Sequence, residues 1–148
     1  MKYILSILIS LTLLTANAQR SSGDVGIGLQ FGEPSGLSLN FYRNAGPTVD
    51  ILAAWDLDKF FYVNAHALYY KHIGGSEYLH FIYGPGAFVG IIDNKELKDA
   101  IDLGISATGG LSMVYRQLEI YLRVTPRLAL LDKTNVDLGG GLGVRLYF

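Results

Sequence analysis

The chain has 148 residues, half of them hydrophobic, with 18 glycines, no cysteine and a formal net charge of -1. That length holds one domain; near-neutral charge gives no electrostatic basis for nucleic-acid binding, and without cysteine there is no disulfide, thiolate nucleophile or thiolate metal site. Only 17% of the residues are charged, against about 25% in an ordinary soluble domain.

The chain opens with "MKYILSILISLTLLTANA", in which Lys2 precedes an apolar run over 3–14 and Ala16-Asn17-Ala18 supplies a small-x-small cleavage pattern. This predicts a signal peptide over 1–18, because the run falls short of the ~20 apolar residues that a spanning helix needs. Residues 19–23 are polar and read as a flexible lead-in, which leaves 24–148 as the domain.

From Asp24 onward, eight segments alternate apolar with small or polar residues: 24–31, 36–43, 48–57, 60–71, 78–91, 101–115, 118–131 and 136–148. Alternation at period two predicts half-buried strands. The intervening "GEPS", "NAGP", "DK", "HIGGSE", "RQ" and "DKTN" suit hairpins, and only "DNKELKDA" is long enough for a turn of helix. In the first segment Val25, Ile27, Leu29 and Phe31 oppose Gly26, Gly28 and Gln30; in the seventh Leu118, Ile120, Leu122 and Val124 oppose Glu119, Tyr121, Arg123 and Thr125.

Two barrels fit such alternation. A soluble one fills its interior with apolar side chains, whereas a membrane one turns them to lipid and keeps charge, hydroxyl and glycine inside. Composition decides between them: eight short strands cannot enclose all these Leu, Ile, Phe and Tyr side chains while showing mainly Gly, Ser and Ala to water. The aromatic residues fall at strand ends, with Phe31, Trp55, Phe60 and Phe61 at one level and Phe41, Tyr42, Tyr69, Tyr70, Tyr78, Tyr115, Tyr147 and Phe148 at the other. Two girdles at the two membrane interfaces would produce that pattern.

The signal segment, the eight alternating strands and a last strand ending in phenylalanine resemble the small outer-membrane β-barrels of Gram-negative bacteria, the group that includes the OmpA barrel domain and OmpX. The resemblance is one of pattern over 24–148. It implies an up-and-down eight-stranded barrel in contact with outer-membrane lipid. It also implies an assembly signal, Leu142, Val144, Leu146, Tyr147 and Phe148, read by the barrel-assembly machinery through strand addition to an unpaired edge.

Chemistry-bearing residues are sparse. His66 and His80 fall on inward faces and His72 in a turn. The His-x-Ser of some lipid-modifying barrel enzymes does not occur, so no catalytic residue is expected. "GGGLG" is not followed by a helix and is no phosphate cradle; Pro85 and Pro126 lie inside strands and predict bulges; no cofactor or metal site is expected. The inward charges Asp50, Asp102, Glu119, Arg123, Arg127, Asp137 and Arg145 predict a network that plugs a lumen only wide enough for side chains; an ion or small-solute path is the alternative. If "RQ" is a two-residue turn, Tyr115 lies opposite Leu118, Gly110 opposite Arg123 and Ser106 opposite Arg127, and Glu119 is the first carboxylate expected beside Arg123. The function expected is that of a non-enzymatic outer-membrane barrel with a structural or surface-interaction role. A soluble exported barrel holding an apolar ligand and a lipid-modifying enzyme are the alternatives.

Overall fold

The computed structural model describes residues 20–56, 60–94, 97–131 and 135–148; the predicted signal segment lies outside them. Eight strands follow in order: β1 (Val25–Glu33), β2 (Gly36–Phe41), β3 (Thr48–Asp56), β4 (Phe60–His72), β5 (Leu79–Asn94), β6 (Leu97–Tyr115), β7 (Leu118–Ala129) and β8 (Asn135–Tyr147). Each pairs antiparallel with the next, and β1 pairs with β8 to close a barrel. Closure satisfies the backbone groups that an open sheet would leave along its edges.

Alternation sorts the side chains as the sequence predicts. Along β7, Leu118, Leu122 and Val124 are exposed while Glu119, Tyr121, Arg123 and Thr125 are buried. The same parity exposes Ile27, Leu29 and Phe31 on β1 and Leu142, Val144 and Leu146 on β8. The barrel is therefore apolar outside and polar inside, the reverse of a water-soluble barrel. The predicted "RQ" register also holds: Tyr115 faces Leu118, Gly110 faces Arg123 and Ser106 faces Arg127.

Three local expectations need correction. "DNKELKDA" forms no helical turn in its described part, because β5 and β6 continue through it to the pair Asn94 and Leu97, with one register shift after Ile92; Lys95 and Glu96 lie outside the described residues. A single helical turn would satisfy few of its own N–H groups, whereas prolonging the ladder pairs them. Neither proline makes a bulge: the β4–β5 register is the same on both sides of Pro85, and that of β6–β7 is the same on both sides of Pro126. In an antiparallel ladder each residue donates to one neighbour only, so a missing N–H removes a rung without displacing the strand. His72 is the last residue of β4, opposite His80, rather than part of a turn.

The wall is uneven. β6 runs for 19 residues and β2 for six, so the β5–β6 hairpin rises above its neighbours at the end away from the termini.

Candidate functional site: the charged lumen

Four buried charges meet in the lumen, toward the end of the barrel where β7 begins and β8 ends. Asp50 of β3 accepts from Arg123 Nη1 of β7 and Arg145 Nη2 of β8, and also from Asn40 Nδ2 at 3.0 Å. Arg145 donates through Nη1 to Glu119 Oε2 at 3.1 Å and through Nε to Ser38 Oγ at 2.8 Å. Arg123 Nε donates to Gln30 Oε1 at 2.7 Å. Glu119 is completed by Ser112 Oγ at 2.6 Å and Tyr70 OH at 3.0 Å. All four charged side chains are almost completely buried, and two carboxylates balance two guanidinium groups, the condition under which buried charge is tolerated.

Glycine makes the room. Arg123 is flanked across the ladder by Gly110 and Gly141, and a Cβ on Gly110 would run into the Leu122 carbonyl oxygen. Gly143 lies beneath the Tyr121 ring, over which the Arg145 guanidinium sits at 4.0 Å.

The structure thus brings together Asp50, Glu119, Arg123 and Arg145. It does not pair Arg123 with Glu119: four residues along a strand span about 13 Å, and the carboxylate across the lumen is the one within reach. Arg127 pairs with Asp137, its ladder partner, nearer the far rim. Asp102 lies apart from the network and makes no ion pair among the described residues. It lines, with Tyr62, Phe88, Arg127 and Asp137, a cavity of about 600 Å³ open at that rim.

Between the charged layer and this cavity, Ser106 Oγ lies 3.1 Å from His66 Nε2 and 3.0 Å from Asn64 Oδ1. Sequence reasoning, which looked for serine close to histidine along the chain, missed this pair because β4 and β6 contribute one residue each. Their shared inward parity was the available signal. The rings of Tyr62 and Phe88, 5.5 Å apart, and Ala54 make a small apolar cluster beside the cavity.

The girdles also change membership. Phe41, Tyr69, Tyr78, Tyr115 and Phe148 are exposed at the terminal end and Phe31, Trp55 and Phe61 at the other, whereas the Phe60 ring lies outside the described side chains. Tyr147, however, is 1% exposed and points inward, donating to Glu119. Tyr42 packs edge-on against both Tyr147 and Tyr70, since the inward parity of β2, β4 and β8 outweighs aromatic preference for the interface. Residues 20–23, read as flexible, include Arg20, whose side chain is 5% exposed and lies 3.7 Å from Glu119. Of the residues expected as an assembly signal, Leu142, Val144, Leu146 and Phe148 face outward and Tyr147 inward.

These features define a closed eight-stranded antiparallel barrel with an apolar exterior and a charged lumen. The same fold occurs in the N-terminal β-barrel domain of Pseudomonas aeruginosa OprF, at a TM-score of 0.70 and 14% identity over 87% of this chain and 100% of that one. It also occurs in Neisserial surface protein A, at 0.53 and 16% identity over 84% of this chain and 94% of that one. No protein-family description and no curated protein matches the sequence.

Proposed function

We propose that the chain is an integral outer-membrane β-barrel with a structural or surface-interaction role and no enzymatic activity, its lumen closed by side chains. The observation that carries this reading is the inversion of faces: Leu122, Ile105 and Leu142 are about half exposed on the outside while Asp50, Glu119, Arg123 and Arg145 are buried inside. A continuous apolar belt of this kind is costly in water and favourable in lipid. The buried ion pairs of this layer support closure, because an open ionic path would need these groups hydrated. The Ser106–His66 pair supports no hydrolytic reading, since it is buried and the oxygens of the neighbouring Asp50 are already taken by Arg123, Arg145 and Asn40.

In this reading, residues 1–18 are removed on export, lipid is the permanent partner, and the assembly machinery reads β8 during insertion. Cell fractionation tests it. The protein is expected in the outer-membrane fraction, released by detergent but not by salt or alkaline washing, with Gln19 as its first residue. Recovery in a detergent-free periplasmic wash would overturn the membrane assignment.

A further inference from the structure

Three tyrosines converge at the end of the barrel that carries both termini. Tyr42 follows β2, Tyr70 lies near the end of β4 and Tyr147 closes β8. Tyr42 stands edge-on to the other two, with ring centroids 5.8 and 6.3 Å away. The guanidinium carbon of Arg20 enters between them, 3.7 Å from the Tyr42 centroid, 4.5 Å from that of Tyr70 and 5.1 Å from that of Tyr147. Behind the rings, Arg20 Nη1 lies 3.7 Å from Glu119 Oε1 and donates to Tyr147 OH at 3.3 Å.

The walls and floor belong to the barrel, and the occupant does not. Glu119 also accepts hydrogen bonds from Arg145, Ser112, Tyr70 and Tyr147, all of them residues of the barrel wall. The buried quartet of Asp50, Glu119, Arg123 and Arg145 is already neutral, so Arg20 is not required for charge balance. Its seat is made by ring faces, whose quadrupoles attract a cation, and by a carboxylate edge that a planar guanidinium can address with N–H donors.

We propose that Tyr42, Tyr70, Tyr147 and Glu119 form a cation-binding site for guanidinium groups in the terminal mouth of the barrel, with Arg20 as its tethered occupant. A tethered group acts at an effective concentration in the millimolar range, so a free cation enters only against that competition.

The test uses the chain beginning at Gln19, refolded into detergent micelles with ¹³C-labelled tyrosine rings and titrated with N-methylguanidinium chloride. Sodium chloride at equal ionic strength is the control. In Arg20→Ala the Tyr42 and Tyr147 signals are expected to move saturably, with a midpoint at least ten-fold lower than in the unaltered chain. The double variant Arg20→Ala, Tyr42→Leu should lose that response. Equal midpoints with and without Arg20, or a response matched by sodium chloride, would overturn the site. So would failure of Arg20→Ala to refold, since the cage would then not exist apart from its occupant.

Discussion

Asp50 holds two guanidinium groups that have no other carboxylate in common within the layer: Arg123 reaches only Asp50, and Arg145 shares Asp50 with Glu119. Asp50→Asn keeps the shape and removes the charge, leaving Arg123 buried without a counter-ion. Breaking a buried pair from one side costs about 3–5 kcal/mol, and urea unfolding in micelles, followed through Trp55, the single tryptophan, should show a loss of that size. Asp102→Asn, which disturbs no ion pair among the described residues, should change the unfolding free energy by only about 0.5 kcal/mol or less. Equal losses in the two variants would mean that Asp50 acts by shape alone. The identity of the buried charges was legible in the sequence, because parity assigns each to one face. Their pairing was not: Arg123 and Glu119 are near in sequence yet separated along the strand, while Asp50 lies 73 positions away from Arg123 and adjacent only across the closed lumen.

At the scale of the strand, a period of two and a turn rule were sufficient to give all eight elements and the β6–β7 register, since a slip of one residue would turn every apolar side chain inward. What escaped, beyond the local corrections at the prolines and the β5–β6 connection, was which side chains from different strands meet inside the barrel. Tyr42, Tyr70 and Tyr147 read as girdle residues because aromatic type marks an interface, but their faces send them to the lumen. The Ser106–His66 contact needed β4 and β6 to be placed beside β5. The two faces of β7 and β8 carry a depth test. Leu122, 56% exposed at mid-strand, should cost about 2–4 kcal/mol when replaced by arginine, whereas Val136, at the start of β8 near the rim, should cost about 0–1 kcal/mol. Unfolding of both variants from phospholipid bilayers checks this. A harmless Leu122→Arg would mean that the outer face is not in contact with hydrocarbon.

For the whole molecule, the fold shared at 14% identity shows that this architecture is reached with different residues at most positions. Closure also involves Phe148. Val25 N donates to Phe148 O and Phe148 N to Val25 O, each at 3.1 Å, so Phe148 extends the seam between β1 and β8 through its backbone, while its ring, 56% exposed, faces outward. Phe148→Ala keeps both backbone bonds and removes only the ring, which separates sealing from recognition better than deletion would. Loss of one partly exposed ring should lower the stability of refolded barrel by about 1–3 kcal/mol at most. If β8 is read during assembly by strand addition, in which alternate side chains fill pockets of the acceptor, the same change should reduce insertion in cells many-fold. Heat-dependent gel mobility of the refolded protein and the amount of folded barrel in isolated membranes measure the two effects separately. Comparable, modest losses in both would leave Phe148 a seam residue with no role as an address.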